Sequence, residues 1–248
     1  VAANDLQAYI LDALKAVDPA QPATLEAAST AIRQSFTQAQ ISSQLAEPIL
    51  QAYASLPGEH PAVAVRSSAT AEDLPEASFA GQQETYLNIR TPKAVLAAVR
   101  KCWASLWTAR AIAYRMRQGI APETVALAVV VQRLIPAEAA GILFTANPIS
   151  GTRSELVINA AWGLGEAVVG GAVTPDTITV EKATGRILKR QTAEKLVMTV
   201  RAETGTEEQP VPDARKSGPA LSDAQAAELA RLGEQIEAVV AEVLRHFG

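Results

Sequence analysis

Apolar positions recur every three or four residues through the first fifth of the chain. Ile10, Leu11, Leu14 and Val17 make one stripe, which Pro19 and Pro22 break; Ile32 and Phe36, then Leu45, Ile49, Leu50, Tyr53 and Leu56, resume the spacing. That period belongs to helices with one buried face, so residues 4–56 are predicted helical, closed by Pro57-Gly58 and Pro61. The pattern then shortens. Residues 62–66 read as a strand and 82–89 alternate as a second, separated by the hydroxyl-rich stretch SSATAEDLPEASFAG. A single long helix is predicted from about Pro92, a favourable first-turn residue, to Gln118 before Gly119, with Val95, Leu96, Val99, Trp103, Leu106 and Trp107 as its stripe.

Strands dominate the next part of the chain. Residues 125–132, VALAVVVQ, are apolar on both faces, as in a central strand. Residues 140–145, 156–160, 178–181, 187–191 and 196–200 read as further strands of a meander, with Thr184-Gly185 at one turn. Residues 201–220 carry proline, glycine and charge without period and read as an exposed loop. Ser222 and Gln225 fit a capping box, opening a helix whose buried side is predicted to hold Leu229, Leu232, Ile236, Val239, Val243 and Leu244. The order is helices over 1–60, a β-rich core over 61–200, a loop over 201–220 and a helix over 221–248. Without regular βαβ alternation, this predicts an α+β fold in two lobes.

Composition narrows the function. At 248 residues and 26.1 kDa the chain can bury roughly three quarters of its extended surface. Hydrophobic residues at 48% and charged ones at 19% exclude a disordered chain. With 22 basic and 26 acidic residues the net charge is -4, so no basic field exists for nucleic acid; a small anion needs only a few local donors. Cys102, the sole cysteine, cannot form an intrachain disulfide, and His60 and His246 lie too far apart in sequence to suggest zinc. The opening VAANDLQAYILDALKAV lacks a basic n-region, and no apolar run approaches the ~20 residues of a membrane helix, so a cytoplasmic protein is expected.

Three places could carry chemistry. Arg66, at the predicted end of a strand and followed by Ser67, Ser68 and Thr70, offers a cation, hydroxyls and N–H donors of the kind a triphosphate takes. Spacing alone favours a plainer alternative, an exposed hairpin loop in which Arg66 pairs with Glu72, Asp73 or Glu76. Trp162-Gly163-Leu164-Gly165-Glu166 can turn strand into helix and expose N–H groups to an anion; such turns are more often only structural. Gln132-Arg133-Leu134 can present a backbone N–H and C=O to an adenine edge, or can simply end a core strand. Trp103, Trp107 and Cys102 are core by default, and His60 and His246 have no partner that suggests base catalysis.

The run VAVRSSATAEDLPEASFAGQQETYLNI (63–89) closely resembles the nucleotide-binding domain of phosphoenolpyruvate synthases and pyruvate phosphate dikinases, a domain type shared with rifamycin phosphotransferases. The resemblance continues through RKCWASLWTARAIAYRMRQGI, VVVQRLIPAEAAGILFTANPISG and VINAAWGLGEAVVGGAVTPDT. It implies an ATP-grasp-like, two-lobed α+β fold that closes over ATP, with Mg²⁺ on the phosphates. By the same resemblance Arg66 holds the phosphates and stabilises the transferred phosphoryl group. Gly81 and Thr85 meet the nucleotide from the next strand, and Gln132, with Leu134 beside it, belongs to the adenine pocket. The implied partners are a histidine on a separate swivelling domain and a distant acceptor domain; neither His60 nor His246 has that histidine's context. The family's lysine-bearing segment, roughly GGKGA, precedes anything matching Val1, and its metal-binding segment, resembling PQDIEW, follows the last helix. The expectation is therefore an internal fragment without turnover of its own, from a phosphoenolpyruvate synthase-like phosphotransferase. The alternatives are a rifamycin phosphotransferase, towards which FTANP (144–148) and TPDT (174–177) lean, and a nucleotide-binding module without turnover.

Overall fold

The computed structural model describes residues 6–69 and 85–247. The chain divides into two compact units, residues 1–134 and 135–248. This boundary falls inside the span 61–200 that the sequence suggested as one core.

In the first unit the helical lead-in is three helices: α1 (Leu6–Lys15), α2 (Pro22–Gln38) and α3 (Ser43–Ala54). Pro22 is the first residue of α2, where its missing N–H costs nothing. The strands β1 (Val63–Ala69), β2 (Thr85–Ile89) and β3 (Leu127–Arg133) form an antiparallel sheet in the order β2-β1-β3. The predicted long helix is two, α4 (Pro92–Ser105) and α5 (Ala109–Gln118). The break has a local cause: the Thr108 side chain accepts a hydrogen bond from Ala111 N at 3.2 Å and starts a new helix. The α4 helix covers one face of the sheet. Val63 and Val65 of β1 meet Val95, Val99 and Cys102 there, all essentially buried. Each such aliphatic side chain contributes about 1.5–3 kcal/mol on leaving water. Behind it, Ile32 and Phe36 of α2 pack with Ile10, Trp107 and Ile112 in a second cluster.

In the second unit β4 (Ala139–Phe144), β5 (Glu155–Trp162), β6 (Asp176–Glu181) and β7 (Ile187–Gln191) form the expected antiparallel meander. The strand β8 (Val197–Arg201) leaves it and pairs with β9 (Thr206–Pro210). Residues 201–220, expected as a loop, therefore hold β9 and the short helix α7 (Asp213–Lys216). Strand β9, TEEQP, is polar because most of its residues are exposed; its backbone pairing with β8 carries it, which side-chain periodicity cannot reveal. A four-residue helix, α6 (Glu166–Val169), follows β5, and α8 (Asp223–Phe247) closes the chain.

The capping box of α8 forms as expected: Ser222 N donates to Gln225 Oε1 at 2.9 Å and Gln225 N to Ser222 Oγ at 3.2 Å. Of its predicted buried side only Leu229 is partly buried; the Leu244 side chain lies outside the described residues. Ala226 and Ala230 pack on Leu156, Ile158, Ile178 and Val180, with Leu229 partly buried beside them. Ile236 and Val239, in contrast, are 63% and 61% exposed, and Leu232 and Val243 are exposed too. Small residues face the sheet because the helix sits close to it; Gly233 lies against Leu143 and Leu156. Among the described residues no helix is long and apolar enough to cross a membrane.

Among the described residues one ion pair is wholly buried. Lys195 Nζ donates to Asp176 Oδ1 at 2.5 Å and to Ala193 O at 2.8 Å, and both side chains are fully out of solvent. The same carboxylate takes Ala193 N on Oδ1 and Ala220 N on Oδ2. Asp176 thus ties β6 to the segment before β8 and to the entry of α8.

Candidate nucleotide site

The three-stranded sheet shows what its pairing does to the predicted residues. Side chains alternate along a strand, so Val63, Val65 and Ser67 face α4 while Arg66 and Ser68 lie exposed on the other face. Arg66 pairs with Val130 of β3 and with Thr85 of β2. Gln132 pairs with Ala64, two residues from Arg66. Cross-strand partners share a face, so Arg66, Thr85, Val130 and Gln132 lie together on the exposed face. Arg66 to Gln132 is a diagonal of about 7–8 Å between backbones. Arg66 sits in the middle of β1, not at its end as the sequence suggested, which fixes its backbone on both sides. Among the described residues it forms no ion pair.

The hydrogen-bond parity adds detail. Leu134 N donates to Ala62 O at 2.8 Å, which makes Ala62–Leu134 a hydrogen-bonded pair. Every second pair along the same ladder is then of that type, namely Ala64–Gln132 and Arg66–Val130. The backbone groups of Gln132 and Leu134 are therefore turned into the sheet and cannot read an adenine edge. Those of Val131 and Arg133 point to the open side of β3. Arg66 spends its own N–H and C=O on β3, so its pairing with Thr85 is the closer, non-hydrogen-bonded kind, which brings the two side chains near each other.

Two further expectations change. The strand β3 is the edge of its sheet among the described residues, not a central strand. Its apolar run leaves Val130 47% exposed beside Arg66, an apolar surface on the site face that no sequence pattern distinguishes from core. Ser67, offered with Arg66 as a phosphate donor, faces α4 instead; its Oγ is buried with no hydrogen-bond partner among the described residues. Gly81 and Thr70 lie outside the described residues.

The turn after β5 spends its first N–H groups within the fold. Gly163 N donates to Glu138 O and Leu164 N to Thr199 O, both at 2.8 Å. Trp162 Nε1 donates to Arg215 O, and the Arg215 guanidinium stacks over the indole. Of the suggested turn Trp162 to Glu166, the N–H groups of Gly163 and Leu164 are thereby closed to an anion. Cys102 is fully buried against the sheet, and His60 is exposed on a loop with a positive φ of 47°. No group of three or more His, Cys, Asp or Glu among the described residues could hold a metal ion. The Mg²⁺ implied by the resemblance is therefore assigned to none of the described residues.

A family model described as the pyruvate phosphate dikinase AMP/ATP-binding domain matches residues 1–244. The chain belongs to this family. It is 47% identical over 243 residues to the phosphoenolpyruvate synthase of Pyrococcus furiosus, covering 94% of this chain and 30% of the relative. It is 48% identical to the probable phosphoenolpyruvate synthase of Methanocaldococcus jannaschii, over 96% of this chain and 20% of that protein. The rifampicin phosphotransferase of Streptomyces sviceus is 46% identical over 92% of the chain and 26% of its own length. The chain thus spans less than a third of these relatives. As a member of the AMP/ATP-binding family it is an ATP-binding domain with an α+β fold.

Proposed function

We propose that this domain holds ATP for a phosphotransferase reaction in which Arg66 grips the triphosphate tail. In this proposal the phosphoryl group passes to a histidine on a separate swivelling domain of the whole protein, and from there to pyruvate. The observation that carries it is the pairing of Arg66 with Thr85 and Val130 on one exposed sheet face, inside a chain that matches an ATP-binding family along its length. Phosphoryl transfer asks a protein for positioned cations and donors more than for covalent chemistry. A guanidinium with its backbone held on both sides supplies that: little reorganisation is needed when charge builds on the transferred group. Thr85 contributes a hydroxyl next to it, Val130 an apolar floor and Gln132 a side-chain amide at the adenine end. Gly81 is proposed to approach the nucleotide from the segment before β2. The backbone reader of the adenine edge, if one is used, is Val131 or Arg133 by the parity of the β1–β3 ladder. An ATP-grasp-like closure and a cytoplasmic setting, where ATP is the common donor, belong to the same proposal.

A rifampicin phosphotransferase is the second reading, because relatives of both names match at nearly equal identity. The acceptor distinguishes them. Assay of the full-length protein with ATP and Mg²⁺, offering pyruvate or rifampicin, decides between the two. Calorimetry with ATP comes first: a folded full-length protein that takes up no ATP refutes both and leaves a module of another purpose. Arg66→Ala is expected to slow phosphoryl transfer by ~10²-fold or more while leaving the fold intact. An unchanged rate removes the arginine from the mechanism.

A further inference from the structure

Arg115 is charged, buried and has no part in the proposed nucleotide face. It lies in the last turn of α5, and its side chain is only 3% exposed. Both terminal nitrogens, Nη1 and Nη2, are buried with no hydrogen-bond partner among the described residues. The guanidinium stacks on the Trp107 ring, with Cζ 4.8 Å from the ring centroid. Burial pushes its pKa down to about 10, so it stays protonated at neutral pH. Stacking on an indole compensates part of the lost hydration and leaves the in-plane N–H groups unmet. Buried guanidinium groups in folded proteins are met by an acceptor, most effectively by the two oxygens of a carboxylate.

The place is separate from the face that carries Arg66. Helix α4 covers the opposite side of the sheet, α2 packs on α4, and α5 packs on α2. Trp107, the ring beneath the guanidinium, also borders an apolar pocket of about 390 Å³ with Phe36, Trp103 and Leu106. Arg115 itself does not line that pocket, whose wall also carries Glu123, and the indole that orients the guanidinium is itself held in the helical core.

We propose that Arg115 is a carboxylate-receiving site. One guanidinium matches one carboxylate in charge, and its terminal nitrogens match the two oxygens in a bidentate fork. The carboxylate has two sources: an acidic side chain elsewhere in the full-length protein, or a small free carboxylate. The site does not depend on the nucleotide proposal.

The test uses the full-length protein with Arg115→Met, which keeps the stem's bulk, and Arg115→Lys, which keeps the charge but not the fork. Thermal unfolding is followed in sodium acetate and in sodium chloride at equal ionic strength. An internal carboxylate predicts a midpoint lower by about 5–10 °C in Arg115→Met, an intermediate one in Arg115→Lys, and no acetate effect. A free carboxylate predicts that acetate raises the wild-type midpoint relative to chloride and leaves Arg115→Met unmoved. A midpoint unchanged or raised in Arg115→Met, with no acetate-specific shift, overturns the proposal, because removing an unpaired buried charge relieves a cost. A crystal structure of the full-length protein grown with acetate reads the site directly. Carboxylate oxygens about 2.7–2.9 Å from Nη1 and Nη2 support it; water alone at both nitrogens refutes it.

Discussion

Replacing Asp176 by asparagine tests how the second unit is held together. The carboxylate receives three donors: Ala193 N at 2.9 Å, Lys195 Nζ at 2.5 Å and Ala220 N at 2.7 Å. Asparagine keeps the shape but removes the charge and puts an amide donor against one of these N–H groups. Lys195, with no exposed surface, is then an unbalanced cation in a low-dielectric interior. Breaking a buried pair from one side costs about 3–5 kcal/mol, and an unsatisfied backbone N–H adds about 1–3 kcal/mol. The expected loss is therefore at least about 4 kcal/mol, a large share of a typical domain's stability. Urea titration followed by Trp162 emission, combined with hydrogen exchange of the β5 and β6 amides, measures it. A double-mutant cycle with Lys195→Met separates the pair from the rest. The single Lys195→Met change leaves two N–H donors on the carboxylate, so it should cost less than Asp176→Asn. A loss below about 1 kcal/mol in Asp176→Asn, or coupling near zero, refutes the reasoning that this pair pins β6 to the entry of α8.

Local geometry supports two further predictions. Gly163 has φ +83°, and a Cβ there would sit 2.4 Å from Thr199 O; Gly163→Ala is expected to destabilise by about 2–4 kcal/mol, and chemical denaturation showing under about 1 kcal/mol would mean the turn relaxes freely. Asp213 has its pKa lowered chiefly by the hydrogen bond from Lys216 and then by that cation's charge. Its small contribution is therefore present above the ordinary carboxylate pKa and fades as pH falls through the folded-state value. NMR titration should place the Asp213 midpoint below that of an unpaired aspartate, and Lys216→Met should return it upwards.

The places where the structure departs from the sequence pattern have a common origin. Residues 92–118 carry one continuous apolar period, and only the Thr108 cap and the packing of Trp107 into the second cluster divide them into α4 and α5. Strand β9 has no apolar alternation to detect, because its partner β8 supplies the pairing and solvent covers the rest. For α8 the larger stripe misleads. Helix periodicity says that one face is apolar, but the distance to the sheet decides which face fits, and Ala226 and Ala230 win it.

The candidate site divides in the same way. The family resemblance singled out Arg66, Thr85 and Gln132, and the pairing register then put all three on one face. The register could not be foreseen, nor its parity, which turns the Gln132 backbone inward and sends Ser67 to the wrong face. Val130 was hidden among core-like valines, and the buried charges Arg115, Asp176 and Lys195 carry no mark in a linear pattern.

By itself the sequence carried most of the elements outside residues 201–220, the capping box of α8, the α+β class and, through long motifs, the family, since period, composition and motifs are local properties. The tertiary structure alone decided which strand is an edge, which helix face is buried and which charges meet, because strand pairing and close packing bring together residues that are remote along the chain.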